Sequence, residues 1–385
     1  MLLARLIAGV SLLGFVFTTG GTLWLAIAES ASRMGAAEAW PKSVGNASYY
    51  EYLAKREPVR AGSSLREAVL LNPRDSSAWI ALGLEAERTG HADEATLSVL
   101  EAERVDRQYL PAWTAANVFF RQSNDVQFWR AAARAAAMSY DDPAPLIDLA
   151  DHREARALNA LDQLGDTPRL ERGYLHFLIR AGRWEEAQEI AARLTRRREA
   201  QDTELLMSFT DRLIAAGKTE AALAVWNDLE RSRRVMGLTN GDFASQPSGH
   251  GFDWRVTAPP SGSARWEPAR LRFWLTGSTP DACVLLGQWV PLAGGQYRLQ
   301  FGYRTEGLAQ ETGLRWTLAR ETREEAASPV LARSPEPLSH GHKTEWNFKV
   351  VKAGLFRLQL VYVRVPGTTH TEGRAEFGSV GLERL

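Results

Sequence analysis

The sequence predicts a multidomain chain that runs α then β: an N-terminal transmembrane helix, an α-solenoid of stacked helix pairs, and a C-terminal antiparallel β-sandwich of the jelly-roll kind. Three observations predict it. Residues 6–28 carry no charge, helical segments recur in the middle with Trp79 and Trp113 34 residues apart, and after Gly237 apolar residues switch to strict alternation. The expected divisions are 1–33, 34–236 and 237–385. A chain of 385 residues is long for one domain, which agrees with this partition. Its 46 basic residues are matched by 46 acidic ones. That leaves no basic excess to displace phosphate counterions, and nucleic acid is excluded as a general partner. Cys283 is the lone cysteine, so neither an intramolecular disulfide nor a cysteine-based zinc framework can form.

The apolar run from Leu6 to Ala28 is preceded by Arg5 and followed by Glu29 and Arg33. At about 1.5 Å per residue such a run spans a hydrocarbon core of about 30 Å. Arg5 favours an N-terminus inside, which places the body on the periplasmic side of an inner membrane with a single crossing. Ala26-Ile27-Ala28 also reads as a signal-peptidase site, so a cleaved export signal is the rival expectation.

In the middle, SSAWIALGLEAERTGHADEATLSVLEAERVDRQY covers residues 76–109. Trp79, Leu82, Gly83, Gly90, Ala95 and Ala102 stand at the positions of the W, L, G, G, A and A of a tetratricopeptide repeat, which this segment resembles. Ala61, Leu65, Ala68 and Pro73 mark an earlier unit. Gly182 with Ala187, and Gly217 with Ala222, mark later ones. The stretch 144–167 is short and irregular, as a truncated unit would be, and about six units are expected in all. One helix pair cannot close its own core, so each unit stacks on the next, with Gly83 and Ala95 at close helix contacts and Trp79, Trp113 and Trp226 filling gaps. The resemblance implies a groove lined by the first helices of successive units, binding a peptide or protein partner. Carried onto this sequence, its residues are Ile80, Leu84, Glu87 and Arg88, then Thr114, Val118, Arg121 and Gln122. The basic runs RLTRRREA and RSRR fall at expected helix C-termini, where cations complement the helix dipole.

Beyond Gly237 the runs FDWRVT, YRLQFGYRT, GLRWTLA, TEWNFKVV and LFRLQLVYVRV alternate apolar and polar residues, as half-buried antiparallel strands do. Eight or nine such strands in this region predict a sandwich. The junction NGDFASQPSGHGFDW, residues 240–254, has strong turn chemistry at Asn240-Gly241. Asn240-Gly241-Asp242-Phe243, Gly251-Phe252-Asp253-Trp254 and VPLAGGQYRLQF, residues 290–301, resemble the galactose-binding-like carbohydrate-binding modules. The whole order of anchor, repeats and sandwich resembles bacterial envelope proteins associated with exopolysaccharide export, which implies a scaffold.

Chemistry leaves little linear trace. HExxH, GxSxG, phosphate-cradling and dinucleotide motifs are absent, and no cofactor is expected. His340 and His342, with His250 or His370, are the best metal candidates, but paired histidines in a Ser/Pro/Gly-rich loop read as solvated, so no metal site is predicted. Asp242 lacks a readable set of oxygen ligands for calcium. A sugar site needs flat aromatic faces beside hydrogen-bonding side chains. Trp266 in ARWEPAR and Trp274 in LRFWL, with Arg272 beside it, are the glycan candidates. Rim packing or an interdomain contact is the alternative role for both rings. The expected function is a membrane-anchored, non-enzymatic adaptor with a protein partner at the repeats and a possible polysaccharide at the sandwich. The alternative is a carbohydrate-active enzyme whose repeats present a catalytic sandwich.

Overall fold

The computed structural model describes residues 47–385 except 140–141, 198, 230–233, 236, 309–312, 321–329, 334–342, 365–366 and 368–371. The expected anchor, residues 6–28, lies outside the described residues. Among the described residues, no helix is long and apolar enough to cross a membrane.

Twelve α-helices come first in the described chain. They are α1 Ala47–Arg56, α2 Ala61–Leu71, α3 Ser76–Arg88, α4 Ala92–Val105, α5 Tyr109–Arg121 and α6 Asp125–Met138, then α7 Ala144–Arg153, α8 Ala157–Leu164, α9 Pro168–Ala181, α10 Trp184–Arg197, α11 Ala200–Ala215 and α12 Thr219–Leu229. In chain order they make six pairs, and the short α7 and α8 are the truncated unit expected at 144–167. The chain divides into two compact units between Phe177 and Leu178, inside α9, and not at the change of period near 237. The second unit holds the end of the helical array together with the sandwich.

The turns inside the pairs share one device. Gly90, Gly182 and Gly217 adopt left-handed φ of 83°, 69° and 70°. After each, the next N–H reaches back five residues, as His91 N–H does to the Ala86 carbonyl at 2.8 Å. Ser123 takes the same role with φ 57°, so Asn124 N–H meets the Phe119 carbonyl. Asp75 caps α3 by accepting from Ser77 N and Ala78 N. Between α3 and α4 the backbones come close. A Cβ added at Gly83 would stand 2.9 Å from Val99 Cγ1, and Ala95 is fully buried. Trp226 is buried as expected, whereas Trp79 and Trp113 are half-buried, Trp79 donating its indole N–H to the Pro73 carbonyl and Trp113 stacked on Tyr109.

Units are tied to their neighbours by ion pairs at repeat-scale separations. Arg121 on α5 grips Glu87 on α3 with two hydrogen bonds of 2.9 and 2.6 Å, across 34 residues. Arg66 on α2 does the same to Glu94 on α4. Glu103 on α4, only 2% exposed, faces Arg130 and Arg134 on α6.

The strands are β1 Arg234–Val235, β2 Leu238–Thr239, β3 Arg255–Val256, β4 Ser263–Glu267, β5 Arg270–Leu275, β6 Ala282–Leu292, β7 Gly295–Glu306, β8 Leu314–Arg320, β9 Val330–Arg333, β10 Lys343–Val350, β11 Gly354–Val363 and β12 Gly373–Arg384. All pairings are antiparallel. Two five-stranded sheets, ordered β10-β7-β12-β5-β4 and β3-β6-β11-β8-β9, face each other across one aromatic-rich core. The chain crosses repeatedly from one sheet to the other. Trp254, Phe301, Trp316 and Phe377 lie at its centre.

Of the predicted strands, FDWRVT differs. Only Arg255–Val256 is strand, and Asp253, expected to face water, is 7% exposed. Its carboxylate accepts from Ser248 N and Trp254 N, which holds a turn where the alternation predicts extension. The junction stretch thus works in two directions. Phe243 and Trp254 enter the sandwich core, with the Trp254 indole N–H donating to the Asn240 carbonyl. On the other side Asp211 of α11 takes His250 Nδ1 at 2.7 Å, Gly251 N at 2.8 Å and Arg255 Nη2 at 2.5 Å. Trp226 of α12 packs edge-on against Phe252, and its ring lies where a Gly251 Cβ would be.

Candidate functional site

Two surfaces carry the sequence-predicted residues. The first is a cleft of about 450 Å³ in the first unit, between α1, α2 and α3. Its lining is apolar where Ala54, Ala61 and Leu65 are buried and where Leu84 stands 42% exposed. Glu51, Lys55, Glu85 and Arg88 add charge of both signs. Glu85 accepts two hydrogen bonds from Arg88, at 2.7 and 2.8 Å. That clasp holds the Glu85 carboxyl below the ordinary glutamate range and raises Arg88 further above its own. Lys55 is left as an exposed cation at the edge.

Of the eight residues predicted for the groove, Leu84 and Arg88 line this cleft. Glu87 and Arg121 are committed to each other, and the Glu87 hydrogen bonds raise the Arg121 guanidinium above its usual value. Ile80 is half-buried and does not line it. Thr114 and Val118 are buried, so the expectation that they face a groove is corrected. Val118 sits 34 residues after the exposed Leu84. The helix that carries Thr114 and Val118, α5, is packed against α3, α4 and α6. Gln122 turns toward α4, bonding Thr96 and the Ala92 carbonyl.

The lining residues of α3 are Ser77, Ala81, Leu84, Glu85 and Arg88, one stripe at helical spacing. The predicted stripe of Ile80, Leu84, Glu87 and Arg88 is rotated from it and shares only Leu84 and Arg88. Sequence reasoning missed Ser77, Ala81 and the contribution of α1. The signal available for α3 was the run of small residues at 77 and 81.

The second surface is the outer face of the β10-β7-β12-β5-β4 sheet. On β5, Leu271, Phe273 and Leu275 point into the core, whereas Arg272 and Trp274 point outward. Trp266 is not beside them. It pairs with Leu271 across the β4–β5 ladder, packs against the core from the inner side and donates its indole N–H to the Phe243 carbonyl. The structure therefore separates the two predicted sugar-stacking rings onto opposite faces, and Trp266 is a packing residue. Arg272 bonds Glu376 at 2.6 Å and Glu267 at 2.8 Å. Its hydrogen bond pulls the Glu376 carboxyl below the ordinary range. Sequence reasoning also passed over Trp289 on the other sheet, half-buried with the Arg357 guanidinium 4.2 Å above its ring.

His340, His342 and His370 lie outside the described residues. Among the described residues, no group of three or more His, Cys, Asp or Glu could hold a metal ion. Asp242 instead accepts from Ala244 N.

No protein-family model matches the chain, and no curated protein does. Solved structures do. A carbohydrate-binding module of the CBM4 kind is 10% identical, covering 38% of this chain and 99% of its own, at a TM-score of 0.29. TmCBM61, solved in complex with β-1,4-galactotriose, is 16% identical over 40% of this chain and 100% of its own, at 0.25. YrrB, described as a TPR protein with an unusual peptide-binding site, is 14% identical over 48% of this chain and 82% of its own, at 0.23. The chain is similar to tetratricopeptide-repeat proteins and to carbohydrate-binding modules.

Proposed function

We propose that this protein is a non-enzymatic, membrane-anchored adaptor. Residues 6–28 hold it in the inner membrane with its body on the periplasmic side. The helical array captures an extended segment of a protein partner, and the sandwich holds a polysaccharide during exopolysaccharide assembly or export. The cleft between α1, α2 and α3 is the observation that carries the reading. It combines a buried apolar lining with an exposed leucine and an exposed lysine, which suits one bulky apolar side chain on a polar backbone.

Binding is favoured over hydrolysis by the pairing of the sheet-face carboxylates, since Glu267 and Glu376 are held by Arg272 and Glu306 by Arg374. A glycosidase needs one carboxyl raised so that it can donate a proton near neutral pH. Glu376 is shifted the other way by Arg272. Asp211 and His250 have the geometry of an acid–base pair, but Asp211 is already shared with Gly251 N and Arg255 and serves as a clasp.

The test is site-specific photocrosslinking of the full chain in its own membranes, with the crosslinker at Leu84 or at Leu97, which is 65% exposed on α4 and outside the cleft. One discrete partner adduct from position 84, absent from position 97 and removed by Lys55→Glu, is the expected result. Equal adducts from both positions sink the cleft assignment. Release of the protein by carbonate washing sinks the anchor.

A further inference from the structure

We propose that the outer face of the β10-β7-β12-β5-β4 sheet, around Trp274, binds an acidic polysaccharide through its ring carboxylates. This rests on the reading of the sandwich as a glycan-binding domain and names the class of glycan.

The register assembles the surface from distant segments. Arg304 of β7 stands opposite Glu376 of β12, Glu376 opposite Arg272 of β5, and Arg272 opposite Arg265 of β4. This row crosses three strand spacings, about 14 Å. In the next outward row, Arg374 is opposite both Glu306 and Trp274, and Trp274 is opposite Ser263. Arg270 and Glu267 complete the patch. The patch therefore has five arginines (265, 270, 272, 304 and 374) against three glutamates (267, 306 and 376), a surplus of two cations. The whole chain is neutral, so this surplus is local to the face.

The glutamates hold only part of the cationic set. Arg272 is consumed by Glu376 and Glu267, and Arg374 pairs with Glu306. Arg265 reaches Glu267 only at 3.7 Å and Arg270 reaches Glu376 only at 3.8 Å, and both are exposed. Arg304 is exposed, and its charge acts on Glu376 only as the weakest of the three arginines around that carboxylate. Beside this row two positions carry no side chain. Cβ atoms added at Gly302 of β7 and Gly378 of β12 would meet nothing within 4 Å. A floor opened at two glycines, edged by guanidinium groups and ending at a half-buried indole, takes a flat ring bearing carboxylates. Arg265, Arg270 and Arg304 meet the acid groups, Trp274 meets a sugar face, and Arg272 positions Glu376 and Glu267 without touching ligand.

The experiment is affinity electrophoresis of the full chain in detergent, in native gels containing polygalacturonate, its carboxyl-reduced polymer, or polyaspartate. Retardation by polygalacturonate is expected to exceed that by either control by about tenfold, and to fall with salt as exposed charges are screened. Arg265→Glu with Arg304→Glu, both at exposed positions, should reduce it by about tenfold while the melting curve stays unchanged. Trp274→Ala should reduce it as well. Equal retardation by the carboxyl-reduced polymer overturns the acidic class and leaves the glycan reading standing. Retention of polygalacturonate unaffected by the double arginine variant overturns the face. Equal retardation by polyaspartate, with Trp274→Ala inert, reduces the surface to a charge patch and removes the glycan reading too, as does retardation by none of the polymers.

Discussion

Glu103 in the helical array faces two arginines and Glu376 in the sandwich faces three, and their carboxyls are displaced in opposite directions. Glu103 is 2% exposed, and burial raises it above the ordinary value despite the opposing pull of Arg130 and Arg134. Glu376 is partly exposed, and the hydrogen bond from Arg272 lowers it. Pairing is common to both, so burial sets the sign. The difference follows from construction. The array joins thin, alanine-lined helix pairs, and a long polar side chain between units is enclosed by its neighbours. The sandwich fills its interior with large rings and leaves its charges on the outer face, where water shares the solvation.

The largest test of that contrast compares two glycines, both with left-handed φ. Gly251, at 51°, is where α12 meets the junction stretch, and the Trp226 ring occupies the space a Cβ needs. Gly90, at 83°, ends a repeat turn with nothing within 4 Å. Gly251→Ala is expected to cost about 2–4 kcal/mol, combining backbone strain with overpacking, whereas Gly90→Ala should cost about 1 kcal/mol from strain alone. Denaturant unfolding of the two variants measures both. Similar losses would mean that Trp226 gives way and that the clasp of α11 and α12 on the sandwich is loose.

The same contrast explains what the sequence made legible. Turn glycines at 90, 182 and 217 each have an alanine five residues on, because the units make the same local contact. Leu271, Phe273 and Leu275 announce the inner face of β5 by alternation alone. The face of Trp266 was not legible, because it depends on how the β4–β5 turn sets Trp266 opposite Leu271. Asp211 and Arg255 are 44 residues apart and Arg272 and Glu376 are 104 apart, with no periodicity linking either pair. The cleft was half legible. Leu84 and Arg88 were placed by repeat position, but the buried state of Val118 depends on what packs over α5.

A second, smaller test stays inside the array. Ala95 is fully buried against α3, where a Cβ at Gly83 would already crowd Val99. Ala95→Leu should overpack this contact and lose about 1–3 kcal/mol. Arg88→Ala removes only an exposed clasp with Glu85 and should leave thermal stability nearly unchanged while weakening capture at the cleft. Equal destabilisation by the two changes would show that Arg88 supports the fold and that the cleft is not an independent surface.

The smallest expected effect is also the one that returns to the two glutamates. Glu103 is raised, so its contribution to stability is complete below the unfolded-state value, ordinarily 4.5, and is lost as pH rises through the higher folded value. Glu376 is lowered, so its contribution is present above 4.5 and is lost as pH falls through the lower folded value. Glu103→Gln should therefore gain stability relative to the native protein as pH increases across the carboxylate range. Glu376→Gln should lose it over the same range, and the two difference curves must slope in opposite directions. Amide hydrogen exchange read separately in α4 and β12 keeps the two units apart, since a single melting curve would merge them. Repeating the measurement in high salt sharpens the result. The Glu376 slope should flatten because water and ions reach its arginines, while the Glu103 slope should persist because desolvation is not screened. Slopes of the same sign would mean that water reaches Glu103, and that helix pairs and sheets handle their paired charges alike.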